Sequence, residues 1–430
     1  MTDSFSQSTT PTEPIAVPSG RRTRGRLRVP SSKSLTHRYL NLALLSGAPV
    51  VIERPLFAED TRLFLAALGR CGFQVAEEGD DVRLIPAERP AGEVEIFCGN
   101  AGTMLRFLVA TLTVVPGLWR LDGIPRLRER PVGPLVEALR RLGARIEYVA
   151  AEGYVPLRIE GGTLRGGTTT LDAGESSQYL SALLMAALRA PGEVVVEVPT
   201  LTSRPYVDVT IAAASAFDGH IERAGPRAYR VRPSALRGGR ARVEGDYSAA
   251  CYPAAAAALT GGEVILDGLS PDSRQGDREF IDLLAEMGAE VRLDRHGLTV
   301  AGTGRIRGLT ADLHDVGELT PVLAALAALA DSPSELSGIG HLRGHETDRL
   351  AALCTELTNL GGDVVEESDG LAIRPRPLHG GTWHAYADHR MATAGAVLGL
   401  VVDGIAVDDI ASTTKTLPDF PGMWSALLDS

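Results

Sequence analysis

Seven cations and two carboxylates stand at matched places along this 430-residue chain. Lys33, Arg38, Arg106 and Arg390 lie beside the predicted starts of Ala/Leu-rich helices, and Arg130, Arg349 and Lys415 lie in loops further along the same units. The helix starts read Lys33 and Ser34; Asn100, Ala101, Gly102 and Thr103; Ser176, Ser177 and Gln178; Asp246 and Ser248; Glu318; then Asp388, His389 and Arg390. With Lys33, Gly102, Ser177, Ser248, Glu318 and Asp388 as markers, the steps between them run from 69 to 75 residues. Helix N-termini offer unpaired N–H groups and partial positive charge, which suit anions. Serine, threonine, asparagine and aspartate there could serve only as N-caps. Capping needs no lysine or arginine, which the helix dipole disfavours at that end. Cations at recurring loop positions predict a site for a heavily charged anion. Two phosphates, each carrying about −1.5 to −2, with two carboxylates would match their charge. Glu318 and Glu346 fall among these arginines, and paired carboxylates in a cationic pocket suit proton transfer.

The elements that must hold these residues form an internal repeat. One motif reads helix, glycine, strand, turn, strand, as in LAALGRCGFQVAEEGDDVRLIP and IDLLAEMGAEVRLDRHGLTVAG. The glycines closing its helices are Gly72, Gly143, Gly219, Gly288 and Gly361, and glycine takes the left-handed conformation that ends a helix. Before each motif comes an Ala/Leu-rich helix, a turn at Gly47, Gly117, Gly192, Gly262, Ser332 or Gly404, and a β-branched strand. The pattern predicts an α/β fold of six βαβαββ units, with the sixth incomplete and a strand at 26–29 able to complete it. Two domains of three units follow: residues 32–244, and residues 21–31 with 245–430. Residues 1–20 read as a mostly disordered tail.

Composition narrows the function. A net charge of −11 argues against a nucleic-acid surface. The apolar runs, such as 322–330 and 391–402, fall short of the ~20 residues a bilayer needs. Cys71, Cys98, Cys251 and Cys354 form no C-x-x-C pair, which fits a reducing cytoplasm. Residues 1–20 carry no apolar h-region and have the pattern of neither a signal nor a transit peptide.

Nine segments carry a resemblance: VPSSKSLTHR, GNAGTMLRF, RLRERPVGPL, SSQYLSALL, TSRPYVDVT, EGDYSAACY, RGHETDRL, ADHRMA and TTKTLPDFP. In this order they resemble the 5-enolpyruvylshikimate-3-phosphate synthase family along almost the whole chain. The resemblance implies an inside-out α/β barrel, two three-repeat domains facing each other across a cleft. It implies addition of the 5-hydroxyl of shikimate 3-phosphate to C2 of phosphoenolpyruvate, then loss of phosphate. No cofactor or metal is implied, glyphosate inhibition is, and a monomer is expected.

By motif, Lys33, Ser34, Arg38, Ser176, Ser177, Gln178, Ser203 and Tyr206 match shikimate 3-phosphate contacts. Lys33, Asn100, Gly102, Arg130, Gln178, Arg349, Arg390 and Lys415 match the phosphoenolpyruvate pocket. Glu346 matches the carboxylate that exchanges the methyl proton and Glu318 the acceptor of the hydroxyl proton, and Lys33 is counted with them as catalytic. The sequence departs from the family pattern at four places. Glu318 replaces an aspartate, His341 an asparagine, His345 a lysine and Ser31 a glycine. His341 and His345 are carried over as shikimate 3-phosphate contacts. A UDP-N-acetylglucosamine enolpyruvyl transferase is the nearest alternative, but its reactive cysteine has no counterpart in GIPRLRERP. A zinc pair at His341 and His345 would lack a third ligand, and a non-catalytic scaffold would not need the two glutamates. Cys98 reads as packing. Because both domains contribute ligands, the cleft is expected to close on substrate about hinges near 29–32 and 242–245. Opposed cations would hold it open beforehand.

Overall fold

The computed structural model describes residues 13–428. Its six sheets share one plan, seen most simply in the second. Strand Glu93–Phe97 leads into helix Gly102–Thr111, which returns as strand Leu118–Asp122 parallel to the first, with Val94 opposite Trp119. Helix Gly133–Arg141 follows, then the hairpin Arg145–Tyr148 and Leu157–Glu160, whose second strand pairs antiparallel with Leu118–Asp122. Alternate residues of these strands are buried, so each sheet keeps one face in solvent.

The first helix of each unit is buried almost all round. In Ser177–Ala187 every residue except Gln178 is buried, and His389–Gly399 is buried throughout. Such helices read as apolar on every face because neighbours surround them. Helices therefore lie inside and sheets outside. Each described sheet is an open ladder of three or four strands, and none closes on itself as a barrel.

Two strands change places. Arg24–Arg28 pairs parallel with Glu263–Asp267 of the fourth unit, and Gly239–Arg242 pairs parallel with Val50–Glu53 of the first. The expected completion of the sixth unit by residues 26–29 is thus corrected. Its sheet holds Gly381–Trp383, Ile405–Val407 and Ile15–Ala16, the last filling the edge where other units have a hairpin. Nor do residues 13–20 belong to a disordered tail. Val17 N–H donates to Ile405 O at 3.0 Å, Gly20 N–H to Leu400 O at 3.0 Å, and Val17 packs on Gly399. The rest of that expectation, residues 1–12, lies outside the described residues.

Where the chain crosses between the two halves, the crossings bind each other. Ser32 N–H donates to Glu244 O and Asp246 N–H to Pro30 O, both at 2.8 Å. One apolar cluster draws on positions from Leu35 to Val243, and a second on Val29 and positions from Tyr247 to Leu428. The helix-ending glycines Gly72, Gly143, Gly288 and Gly361 have φ between 90° and 109°. At the third unit Asp218, at φ 60°, takes that role in place of Gly219. Gly261 rather than Gly262 ends the fourth unit's first helix, while Gly262 lies so close to Thr23 O that a Cβ would come within 1.8 Å of it.

Candidate active site

Between the two halves lies a cleft of about 810 Å³, counting space open to solvent. Helix starts supply Lys33, Ser34, Gly102, Thr103, Ser177, Gln178, His389 and Arg390 to its wall, and the loops after them supply Arg130, Ser203, Glu346 and Lys415. Ser32, Ser176 and Asp388 cap three of these helices through bonds to Leu35, Gln178 and Arg390 N–H. Each cap fixes the direction in which the following residues project.

Arg349 organises one wall. It is 1% exposed and begins a helix, where the dipole disfavours a cation. Carboxylates offset this. Its Nε lies 2.8 Å from Asp388 Oδ2, its Nη1 2.8 Å from Glu318 Oε2, and its Nη2 3.3 Å from Glu346 Oε2. Arg390 adds an ion pair to Glu318 at 2.5 Å. Lys415 Nζ donates to Glu346 Oε1 at 3.0 Å, and Arg130 Nη1 stands 3.9 Å from the same oxygen. Burial alone would raise both glutamates. For Glu318 it is outweighed chiefly by Arg390 and Arg349, and for Glu346 by Lys415, Arg130 and Arg349, so both carboxyls sit well below their ordinary range.

Two buried groups that line the cleft make no hydrogen bond within the protein. Arg130 is buried, yet its Nε and Nη1 make no hydrogen bond, and neither ring nitrogen of His389 does. Gly102 lets Arg130 approach, since a Cβ there would lie 2.8 Å from the guanidinium carbon. Buried unpaired donors are costly unless a ligand satisfies them. Lys33 Nζ lies 3.7 Å from Asp60 Oδ2; burial lowers its pKa, helped by Lys415 and Arg390.

The opposite wall carries Ser34, Ser176, Ser177, Gln178, Ser203 and Tyr206. Ser203 has φ 50°, an uncommon left-handed conformation for serine. Gln178 Oε1 accepts from Arg106 Nη1 at 2.8 Å. Arg38 lines the cleft but spends its donors on the protein: Thr210 Oγ1 at 2.8 Å, with Ser34 O and Tyr206 O at 2.9 Å. It fixes those three groups, and burial lowers its pKa to about 10. His314, His341 and His345 stack edge to face, with centroids 6.2 and 6.0 Å apart. His345 accepts from Arg349 Nη1 at 3.3 Å through Nδ1, and burial pushes its pKa down to about 3, so the ring is neutral.

Every residue assigned to the site by motif lines this cleft except Asn100, whose side-chain oxygen is buried nearby without a partner. The motifs missed Asp60, Thr103, Glu175 and Thr202, and gave Arg106 and His389 no role. Asp60 lies in the first turn of the helix Glu59–Arg70, where an acidic residue gives no signal of its own. The cations do not face one another bare. Glu318, Glu346, Asp388 and Asp60 lie among them, which corrects the picture of a purely cationic cleft held open by repulsion. No cluster of three or more His, Cys, Asp or Glu suited to a metal occurs among the described residues.

Such a cleft, with buried cations beside two ionised glutamates in a six-unit α/β fold, has the charge pattern of an enzyme site for small polyanions. The family model described as EPSP synthase (3-phosphoshikimate 1-carboxyvinyltransferase) matches residues 17–424, and the chain belongs to that family. It is 45% identical over 424 residues to the 3-phosphoshikimate 1-carboxyvinyltransferase of Kocuria rhizophila, covering 94% of each chain. To that of Mycobacterium ulcerans it is 42% identical over 412 residues, covering 93% of this chain and 94% of the relative. Two structures of EPSP synthase from Acinetobacter baumannii share its fold with TM-scores of 0.81 and 0.78. Each is 24% identical, over 96% of this chain and 97% of theirs.

Proposed function

We propose that this cleft transfers the enolpyruvyl group of phosphoenolpyruvate to the 5-hydroxyl of shikimate 3-phosphate, with phosphate as the second product. The observation that carries the reading is Glu346 ringed by Lys415, Arg349 and Arg130 within 3.9 Å, beside a second ionised carboxylate at Glu318. Arginine forks suit the carboxylate and phosphate of phosphoenolpyruvate, and Arg130 and His389 have nitrogens that make no hydrogen bond within the protein. As that anion binds, it shares the cations that hold Glu346 ionised, so the carboxyl rises and takes a proton. Glu346 gives this proton to C3 while the 5-oxygen bonds to C2 and Glu318 accepts the hydroxyl proton. Glu346 then removes a methyl proton, the C2–O bond to phosphate breaks, and the Glu318 proton leaves with phosphate or solvent. Ser34, Ser176, Ser177, Ser203, Gln178, Tyr206, His341 and His345 hold the shikimate ring and its 3-phosphate.

The enzyme is read as a cytoplasmic monomer, inhibited by glyphosate and without nucleic-acid or membrane partners. The net charge of −11 speaks against a nucleic-acid surface, and no described helix is long and apolar enough to span a membrane. The moving bodies are read as residues 32–244 and residues 21–31 with 245–430. Phosphate release from phosphoenolpyruvate tests the reaction, with shikimate 3-phosphate as acceptor and UDP-N-acetylglucosamine as control. Release with the nucleotide sugar alone would refute it.

A further inference from the structure

Glu346 sits on a short connector between the turn Gly340–Gly344 and the helix Arg349–Asn359. His345 is extended there, at φ −83° and ψ −151°, and Gly344 has open space around its Cα. A proton carrier on so short and open a loop needs its backbone held. The hold comes from the other half of the molecule. Arg126, on the short helix Pro125–Arg128, donates from Nη2 to His345 O at 3.0 Å and from Nε to Glu346 O at 3.2 Å, across 219 and 220 residues of sequence. Its remaining nitrogen, Nη1, pairs with Glu129 at 2.7 Å.

We propose that Arg126 is a positioning residue that sets Glu346 in its working place only when the two halves meet. The proposal rests on the enolpyruvyl-transfer reading of the cleft. Arg126 and Arg130 come from one segment and grip residue 346 at both ends. Arg126 holds its carbonyl, while Arg130 stands 3.9 Å from its carboxylate. The bland alternative is a surface ion pair with Glu129. Both partners are well exposed, at 41% and 62%, and exposed pairs contribute little. That pair explains neither carbonyl bond. A planar fork donating from two edges suits two successive carbonyls, which a lysine's single ammonium matches less well.

The test compares Arg126→Gln, Arg126→Lys, Glu346→Gln and the double variant Arg126→Gln/Glu346→Gln, all as full-length chains. Arg126→Gln should lower kcat by roughly 10- to 100-fold, the scale of a displaced catalytic group. Its KM for shikimate 3-phosphate should change less than kcat, because His345 alone among that ligand's proposed contacts is held by Arg126, and Arg126→Lys should fall between it and wild type. The double variant should be no slower than Glu346→Gln alone, because Arg126 acts through Glu346. Wild-type kcat in Arg126→Gln, multiplying losses in the double variant, or an equal loss of shikimate 3-phosphate affinity would each overturn the proposal. A wild-type chain that releases no phosphate with both substrates would instead overturn the reading beneath it.

Discussion

Replacing Glu346 by glutamine keeps the shape of the side chain and removes one negative charge from a ring of three cations. Lys415 lies 3.0 Å away, Arg349 3.3 Å and Arg130 3.9 Å. At an effective dielectric near 20, each contact corresponds to about 4–6 kcal/mol before the cost of burial is counted. The amide gives these cations no such partner, so they become more available to an incoming anion. Phosphoenolpyruvate should therefore bind Glu346→Gln at least as tightly as wild type. Turnover should fall by at least ~10²-fold, or ~2.7 kcal/mol of barrier, because the amide has no proton to give or take. A pH effect accompanies the loss. Burial lowers the Lys415 pKa, but Glu346 and Asp60 outweigh it and hold the amine above its ordinary value. Without the Glu346 charge that pKa drops, so the cation is lost earlier as pH rises. The alkaline limb of phosphoenolpyruvate binding should move to lower pH than in wild type. Titration calorimetry across pH and steady-state phosphate release measure the two effects. A near-normal kcat removes Glu346 from the chemistry. A collapse of phosphoenolpyruvate affinity at neutral pH would mean that its carboxylate only holds the cations in place.

The two walls should separate by ligand: Arg130→Ala and Lys415→Ala weaken phosphoenolpyruvate more than shikimate 3-phosphate, and Ser176→Ala with Ser177→Ala does the reverse, as read by binding titrations. Equal effects on both ligands would show that the pockets are misassigned. With His345 neutral above about pH 3, His345→Gln should leave the limbs of the pH–rate profile between pH 5 and 9 in place; a displaced limb would show that the ring titrates in that window. Gly262→Ala should lower Tm, since its Cβ would meet Thr23 O at 1.8 Å beside the strand exchanged into the fourth unit; an unchanged melting curve would show that this packing yields freely. Small-angle scattering should show a smaller radius of gyration with shikimate 3-phosphate bound, and an unchanged radius at saturation would mean that the cleft is preformed.

The repeat was legible because glycine and small-residue turns recur at nearly constant steps, and those positions are dictated by local backbone geometry. The site's cations were legible for a related reason: nothing in helix capping accounts for Lys33 or Arg390. Pairing between distant strands was not. Arg24–Arg28 and Gly239–Arg242 each precede a first helix, and local sequence suits either strand to its own unit; their exchange is a long-range choice of edge. Residues 13–20 looked featureless because a two-strand-residue edge at Ile15–Ala16 is too short to show alternation. Asp60 was passed over because an acidic residue in a first helical turn is ordinary; only its proximity to Lys33 gives it meaning. Arg126 escaped for a different reason. Its partners are backbone carbonyls, which no residue type announces.

The corrected charge pattern changes why the cleft would close. Bare opposed cations would repel, and a ligand would be needed to bring the halves together. Here carboxylates lie among the cations, and Glu346 meets Arg130 of the other half at 3.9 Å. The described apolar clusters remain separate, one in each half. Among the contacts between halves, away from the chain crossings, are Arg126 on the carbonyls of His345 and Glu346, Ser203 N–H on His314 O at 3.3 Å, and Arg204 N–H on Asp315 Oδ1 at 3.1 Å. Partly exposed polar contacts contribute little net free energy each, whereas a shared apolar core would lock the halves together. The closed arrangement is therefore only weakly favoured by the protein itself, and a dianion touching both walls can shift its population. Closure would also exclude water from the ionised glutamates, strengthening each ion contact at the moment a proton must move. On this view the carboxylates have two tasks. In the proposed reaction they carry protons, and they neutralise the cations well enough for the two halves to meet.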